Sequence, residues 1–412
     1  MNALRNPGFR RLWFAGLISD TGDWLLLVSL PILVYRYTGS ALGTSVAFLV
    51  ELVPPVLLAP VAGAIADRFD RRRTLMLVSA AQAAALTPLL LVHGRAGLPI
   101  VYLVVVAQSA FASVFDPTKS ALMPTLVDAD QLVSANSLVG LNQNVGRLIG
   151  GSLGGVLLAV GGGLSAIVVV DLTSFVAAAA LIATLASAPT RRSEGPAHAD
   201  EATSPASWSD ALAERPVRGA LAVLVVASVA QGMFVVLSIV FVVHVLHGGS
   251  GEIGLLRGVQ AIGAIAAGLA LSATTRIRAG ALTAWAAAVF GLLDLAIWNA
   301  PELTRAEPLF VALFIAVGAP GLALVAGLTT AIQQATRHGR RGRAFAAMGV
   351  AIAVGQAAGI VVAGVFGDSV GVVTLLNIQG ALYLLAAAMA ARWLRPGRRQ
   401  RNAARTPGLT AT

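Results

Sequence analysis

The sequence predicts an all-α membrane protein in which about twelve transmembrane helices form two pseudo-symmetric six-helix halves. Three observations predict it. The composition is apolar: 57% of the 412 residues are hydrophobic and 12% are charged, where a soluble domain carries roughly 25% charged residues, and the mean hydropathy is +0.81. The apolar residues fall in long runs, each near the ~20 residues that a bilayer core requires of a helix. The two halves also repeat at a constant offset. Gly268 stands 205 positions after Gly63, and at that offset Arg276 follows Arg71, Arg278 follows Arg73, Gly355 follows Gly150 and Gly359 follows Gly154.

In the first half the runs lie at 11–36, 41–66, 74–93, 99–123, 134–160 and 164–187. In the second they lie at 217–246, 252–273, 279–299, 308–336, 343–366 and 370–394. The first run follows Met1 to Arg11 as a signal peptide's would, but it contains Asp20 and Asp23 and exceeds an h-region in length, so it reads as an uncleaved helix. Residues 1–187 form one half, 188–215 a cytoplasmic linker, 216–395 the other half and 396–412 a basic tail. Ala188 to Pro205, rich in Ser, Pro, Ala and charge, reads as flexible. Ser207 to Glu214 suits a short amphipathic helix on the membrane surface.

The net charge of +10 is unevenly placed. Alternate loops hold Arg10, Arg11, Arg68, Arg71, Arg72, Arg73, Arg191, Arg218 and Arg340, joined by the tail from Arg392 to Arg405; the others hold Arg36, Arg95 and Arg305. That asymmetry places both termini and the Asp67 loop in the cytoplasm of a multi-pass cell-membrane protein. It sets the tail against anionic lipid headgroups and argues against a nucleic-acid partner. The absence of cysteine excludes disulfides and thiolate metal sites. His244 and His247 have no acid or third His nearby in sequence and read as a loop pair. No cofactor is expected, and no nucleophile–base pair or phosphate loop points to an enzyme.

Between the second and third runs stands Gly63-Ala-Ile-Ala-Asp67-Arg68-Phe-Asp70-Arg71-Arg72-Arg73. Helix ends expose unpaired backbone groups and partial charges, so an acid and a cluster of arginines placed there can latch two helical bodies and release them. The pattern Gly-x-x-x-Asp-Arg-x-x-Arg-Arg resembles the loop 2–3 signature of the major facilitator superfamily of transporters. It matches at Gly63, Asp67, Arg68, Arg71 and Arg72 and departs at Asp70, where that family has Gly. The resemblance implies a twelve-helix fold, a loop that stabilises the outward-facing state, and work as a monomer. In the internal repeat Asp67 becomes Ser272, which concentrates the latch in the first half.

The fifth run contains Gly146-Arg147-Leu-Ile-Gly150-Gly151-Ser-Leu-Gly154-Gly155. Glycines at i, i+4 and i+8 line one helix face and admit a second backbone. The pattern also resembles the superfamily's antiporter motif, which marks exporters, with Gly151 in place of its Pro. Close packing alone is the alternative. Ser19-Asp20-Thr-Gly22-Asp23 and the segments Ala121 to Pro124 and Ser134 to Leu138 resemble the enterobactin-exporter and macrolide-efflux branch.

Asp20 and Asp23 lie one turn apart on one face of the first run. Asp23 is ~18 Å deep at ~1.5 Å per residue, Glu51 is ~15 Å from the opposite edge, and Arg147 is also near the middle. A lone charge there costs ~2.5–3.5 kcal/mol. Asp23 or Glu51 beside Arg147 satisfies both charges. Burial favours the neutral acid and a guanidinium the carboxylate, so a conformational change can move a proton on or off. A permanent buried salt bridge is the competing reading. Asp116, near Lys119, pairs either with Arg71 or Arg72 of the loop, as the resemblance implies, or with Lys119 at i+3. Trp24, Gln108, Asn142, Asn144, Gln231, Gln260 and Gln356 are candidate cavity liners, each also able to bond a neighbouring helix. Asp171 and Arg257 lie nearer the outer surface and read as groups solvated at that interface, with gating of that side as the alternative.

These readings lead to a proton-coupled exporter of an amphipathic small molecule, such as a drug, natural product or siderophore-like compound, with protons and a bilayer as its other partners. An uncoupled facilitator or importer, a lipid flippase and a transport-inactive scaffold or sensor are the alternatives.

Overall fold

The computed structural model describes residues 3–128, 131–160, 163–185, 215–272, 278–336 and 341–394. Most of the linker, the amphipathic segment Ser207 to Glu214, Arg276 and the basic tail lie outside the described residues. Among the described residues there are twelve long helices. They are α1 Pro7–Thr38, α2 Ala41–Arg68, α3 Arg71–Leu86, α4 Leu98–Leu122, α5 Leu132–Ala159 and α6 Gly163–Ala183, then α7 Arg215–His244, α8 Ser250–Ser272, α9 Ala279–Asn299, α10 Glu307–Ala335, α11 Arg341–Phe366 and α12 Val372–Trp393. Eleven of them are long and apolar enough to cross a membrane. The other, α5, spans 28 residues but carries Asn142, Gln143, Asn144 and Arg147 in sequence.

Local chemistry sets the boundaries. The Asn6 side chain accepts from the Gly8 and Phe9 amides at 2.9 and 3.3 Å, with Pro7 in the first turn, which suits a helix start. Gly39 ends α1 at φ 63, the left-handed conformation that glycine adopts without strain, and donates to Tyr35 O. The third helix is shorter than its apolar run: it gives way at Thr87–Pro88 to a 3-10 turn ending at Leu91. Proline disfavours the α conformation in the residue before it and has no amide hydrogen to continue the ladder. Asp70, the departure from the loop signature, caps α3 by accepting from the Arg73 amide at 2.8 Å.

The helices pack as two copies of one pattern. In the first half α1 packs on α5 and α6, α2 on α4, and α3 on α4 and α6; in the second α7 packs on α11 and α12, α8 on α10, and α9 on α10 and α12. The glycine repeat has the same packing role in both. A Cβ at Gly150 or Gly154 would run into α1 at Thr21, Leu25 and Ser29, and one at Gly355 or Gly359 would run into α7 at Val225, Ser228 and Val229. The halves meet through α5 with α8 and α2 with α11, a pair of contacts that the same symmetry exchanges.

The contact is one-sided. We call the side that carries the start of α1 and the α2–α3 turn the terminal face, and the other the opposite face. One hydrophobic core draws on both halves toward the opposite face, where Val34, Phe48 and Val101 join Phe241, Trp298 and Phe310. Toward the terminal face there are two cores. One holds Phe9, Leu12, Leu75, Phe115 and Ile182 of the first half; the other holds Val217, Leu221, Leu328, Ile332 and Tyr383 of the second. The outer surface is apolar, with Leu57, Leu77, Leu91, Leu103, Leu269 and Trp285 each at least 67% exposed. A monomer in water does not tolerate so much apolar surface, and a bilayer covers it.

Candidate functional site

A cavity of about 880 Å³ is walled by α1, α2 and α4 with Gln143 of α5, all of the first half. It runs from Leu30 and Ala47 down to Gly63, Asp116 and Pro117 near the terminal face. The walls are mostly apolar, and their acids are Asp20, Asp23, Glu51 and Asp116. A second cavity of about 220 Å³ adjoins it at the seam between the halves. Trp24, Leu27, Glu51 and Leu52 line both; Arg147, Gln231, Arg257, Gln260 and Gln356 line the second.

Helix faces decide which charges meet. On α1 the stripe Thr21, Leu25, Ser29 lies against the α5 glycines, which turns Asp20, Asp23, Trp24 and Leu27 toward the cavity. On α5, Gly146, Gly150 and Gly154 face α1, while Gly151 and Gly155 face α8 at Gly258 and Gly254. Arg147 stands four residues before Gly151 and shares that second stripe. It therefore points to the seam, its guanidinium 5.7 Å from the centre of the Trp24 ring, a cation–π stack. Neither Asp23 nor Glu51 forms an ion pair with it. The expected Asp23–Arg147 pair is thus corrected: Asp23 lines the large cavity and Arg147 the small one, and Trp24 lines both. Glu51 instead feels the charge of Arg257 on α8, whose guanidinium lies 5.6 Å from the Phe48 ring centre.

Lys119 of α4 settles the Asp116 alternatives. Its ammonium lies 3.2 Å from Asp20 and 3.2 Å from Asp116, so Asp116 pairs at i+3 and not with the loop arginines. Arg72 donates to the Ala183 carbonyl and Arg11 to the Thr184 carbonyl at 2.7 Å. Both cations thus cap the C-terminal end of α6, where carbonyls and the helix dipole favour positive charge. Asp67 and Arg68 are exposed, and a Cβ on Gly63 meets open space.

Other expectations change as well. Asp171 is fully buried within α6, and a Cβ on Gly22 would strike its carboxylate, so it belongs to the interior beside Asp23 and not to the outer surface. Its Oδ1 accepts from Ser174 at 3.0 Å. Arg257, 8% exposed, is likewise an interior group. Asn142 lines neither main cavity: it donates to Trp13 O at 2.8 Å and so ties α5 to α1. Gln108 does line the large cavity but spends its amide on Gln82 O at 2.8 Å. His244 of α7 bonds Tyr35 of α1 at 3.0 Å across the seam. Asp368, to which no sequence motif points, caps the start of α2 from the other half: Ala41 N donates to it at 3.2 Å and Ser40 Oγ at 3.1 Å.

Lys119 carries a prediction. Lys119→Met strands two acids, one of them buried, and breaking a buried pair costs on the order of 3–5 kcal/mol. Thermal unfolding of the purified protein in detergent should show a marked loss, and adding Asp20→Asn should restore part of it. Equal stability of wild type and Lys119→Met would show that the pairs contribute nothing.

A family profile described as transmembrane secretion effector matches residues 1–407. The multidrug efflux pump Tap of Mycolicibacterium fortuitum is 30% identical over 173 residues, 40% of this chain and 42% of that one. The enterobactin exporter EntS of Citrobacter koseri is 30% identical over 161 residues, 38% of each. The matched stretches therefore span about two fifths of those relatives. Among solved structures, a bacterial homologue of the iron transporter ferroportin in an inward-facing state superposes with a TM-score of 0.73 at 17% identity, over 94% of this chain and 98% of that one. That likeness is one of fold.

Proposed function

This chain belongs to the transmembrane secretion effector family within the major facilitator superfamily of transporters, and we propose that it exports an amphipathic small molecule in exchange for protons by alternating access. The observation that carries the reading is Asp23. It stands in a cavity that reaches the terminal face, with no cation in ion-pair contact, while the opposite end of the bundle is closed. An acid there takes its proton from one side only. If the halves rock so that the cavity opens at the other end, the same acid meets the other side, which is the condition for coupling. One proton moving through ~150 mV releases about 3.4 kcal/mol, enough for a gradient of roughly a few hundredfold.

The arginine-rich terminal face is the cytoplasmic one in this reading, the protein acts as a monomer in the cell membrane, and its basic segments rest on anionic headgroups. The arrangement then corresponds to an inward-open state, and the exposed Asp67 and Arg68 are the latch in its released position. Export accords with the names of the efflux relatives. Gly151, in place of the motif's Pro, favours uncoupled facilitation as the second reading.

The test is the accumulation of lipophilic compounds in efflux-deficient cells expressing the protein, with and without an uncoupler. Lowered accumulation that the uncoupler abolishes supports coupled export. Raised uptake, or lowering that persists with the uncoupler, contradicts it.

The seal supplies a further prediction. Helix caps contribute about 0.5–2 kcal/mol. Asp368→Ala, which removes the cap that the second half places on α2, is expected to raise the open population at the opposite face by roughly 2- to 30-fold. A cysteine at Ser45, buried in the seam, then reacts correspondingly faster with a membrane-impermeant maleimide. An unchanged rate would show that the cap does not hold the seal.

A further inference from the structure

The two adjoining cavities hold opposite unpaired charges. Lys119 pairs with Asp20 and Asp116, and Glu51 and Arg257 line the small cavity together. What remains is Asp23 in the large cavity and Arg147 in the small one, with Trp24 lining both. The Nε of Arg147 and Nη1 of Arg257 are buried without hydrogen-bond partners, so donors at the small cavity are unspent. Its remaining polar walls are Glu51 of the first half and the uncharged Gln231, Gln260 and Gln356 of the second.

Building on the proposed export role, we infer that the substrate is a zwitterionic amphiphile: its cationic group sits at Asp23, its anionic group at Arg147 beside Arg257, and its apolar body lies along Trp24 and the walls of the large cavity. Such a molecule completes the ion pair that the protein leaves open. A purely cationic ligand leaves Arg147 unmatched, and a purely anionic one leaves Asp23 unmatched. An uncharged ligand leaves both. The cationic end competes with a proton for Asp23, which is the relation that exchange requires. The anionic end binds where the halves meet, so the ligand contacts both moving bodies.

Equilibrium binding to the purified full chain in detergent tests this without relying on transport. The probes are 4′-(aminomethyl)biphenyl-4-carboxylate, its methyl ester and its N-acetyl derivative, together with the matching terphenyl set for reach. In wild type the amino acid of at least one set is expected to bind about tenfold tighter than either blocked form, the worth of one charge-assisted contact. Each variant should erase the preference at one end. With Arg147→Gln the acid and the ester bind equally, while the free amine still outperforms its N-acetyl form. With Asp23→Asn the reverse holds. The retained half of the preference also shows that the variant is folded. Arg257→Gln combined with Glu51→Gln, which removes one cation and one anion of the small cavity and leaves the net charge unchanged, should weaken the acid's advantage as well. Equal binding of all three forms to wild type, or an acid preference that survives Arg147→Gln, would overturn the inference. Zwitterion selectivity in a protein that drives no proton-linked flux in liposomes would sink the export reading instead and leave the dipolar site standing.

Discussion

Asp23→Asn is expected to abolish export driven by a pH gradient, lowering the coupled rate at least a hundredfold, while the protein remains folded. Asp23 lines the large cavity, and no cation in ion-pair contact holds it as a carboxylate. Asparagine has nearly the same shape, so the wall of the cavity is kept, but it neither takes nor releases a proton. A coupling acid has no substitute within one cycle, so its loss removes the coupled step outright. Counterflow of labelled substrate against unlabelled, which needs no net proton movement, should survive. The comparison is made in liposomes with an imposed pH gradient. Proton-driven export at the wild-type rate by Asp23→Asn would remove Asp23 from the mechanism. Loss of both gradient-driven export and counterflow, in a folded protein and at saturating substrate, would show that the carboxyl is needed for the movement of the halves itself and not for proton coupling alone.

The second large effect concerns the glycines of α5, and its sign depends on which stripe is changed. A Cβ at Gly150 collides with the Thr21 carbonyl and the Leu25 amide of α1, backbone that cannot move without shifting the helix. Gly150→Leu should therefore break the α1–α5 contact within the first half, at on the order of 3 kcal/mol or more, and the protein should be lost from the membrane or unfold at far lower temperature. Gly155→Leu strikes α8 at Ser250 and Gly254 instead, on the seam between the halves. It wedges the closed end while each half stays intact. The expected result is a stable protein displaced toward the state open at the opposite face, read as faster maleimide labelling of a cysteine at Ser45. Gly63→Ala, facing open space here, should be neutral to stability. A Gly150→Leu protein as stable as wild type would mean that the glycine stripe does not bring the helices together.

Much of this was legible in the sequence because it is one-dimensional. Apolar run length marked the helices to within a few residues, and the main exception, the early end of α3, had its cause on view in Pro88. The offset of 205 anticipated the paired α5–α1 and α11–α7 contacts because the glycines that carry it are the contact points. Partners were harder to read, since depth alone does not say which way a side chain turns. Asp23 and Arg147 were matched by depth, although Arg147 lies on the Gly151 and Gly155 stripe, which faces α8. That stripe was visible, and it would have directed Arg147 toward the second half. Asp171 was placed at the outer surface, yet it lies about eight residues into α6, ~12 Å along its axis. The depth argument already applied to Asp23 would have moved it inward. Lys119 was weighed as a partner for Asp116 but not for Asp20, because the second contact crosses from α4 to α1 and has no sequence spacing to announce it. Asp368 gave no signal, since its role as a cap exists only when the two halves are closed against each other.

If Asp23 couples protons to transport, its protonation changes which face of the bundle is open. The chain has no cysteine of its own, so pairs of spin labels can be placed without background. Phe69→Cys with Arg278→Cys reports across the terminal face, and Arg95→Cys with Leu303→Cys across the opposite face, all at exposed positions. Distances are measured by pulsed electron resonance in lipid discs at acidic and at mildly alkaline pH. Reciprocal changes are expected in wild type, one pair closing as the other opens, and their loss in Asp23→Asn. Distances in wild type that do not respond to pH, or an Asp23→Asn protein that responds as wild type does, would contradict that coupling.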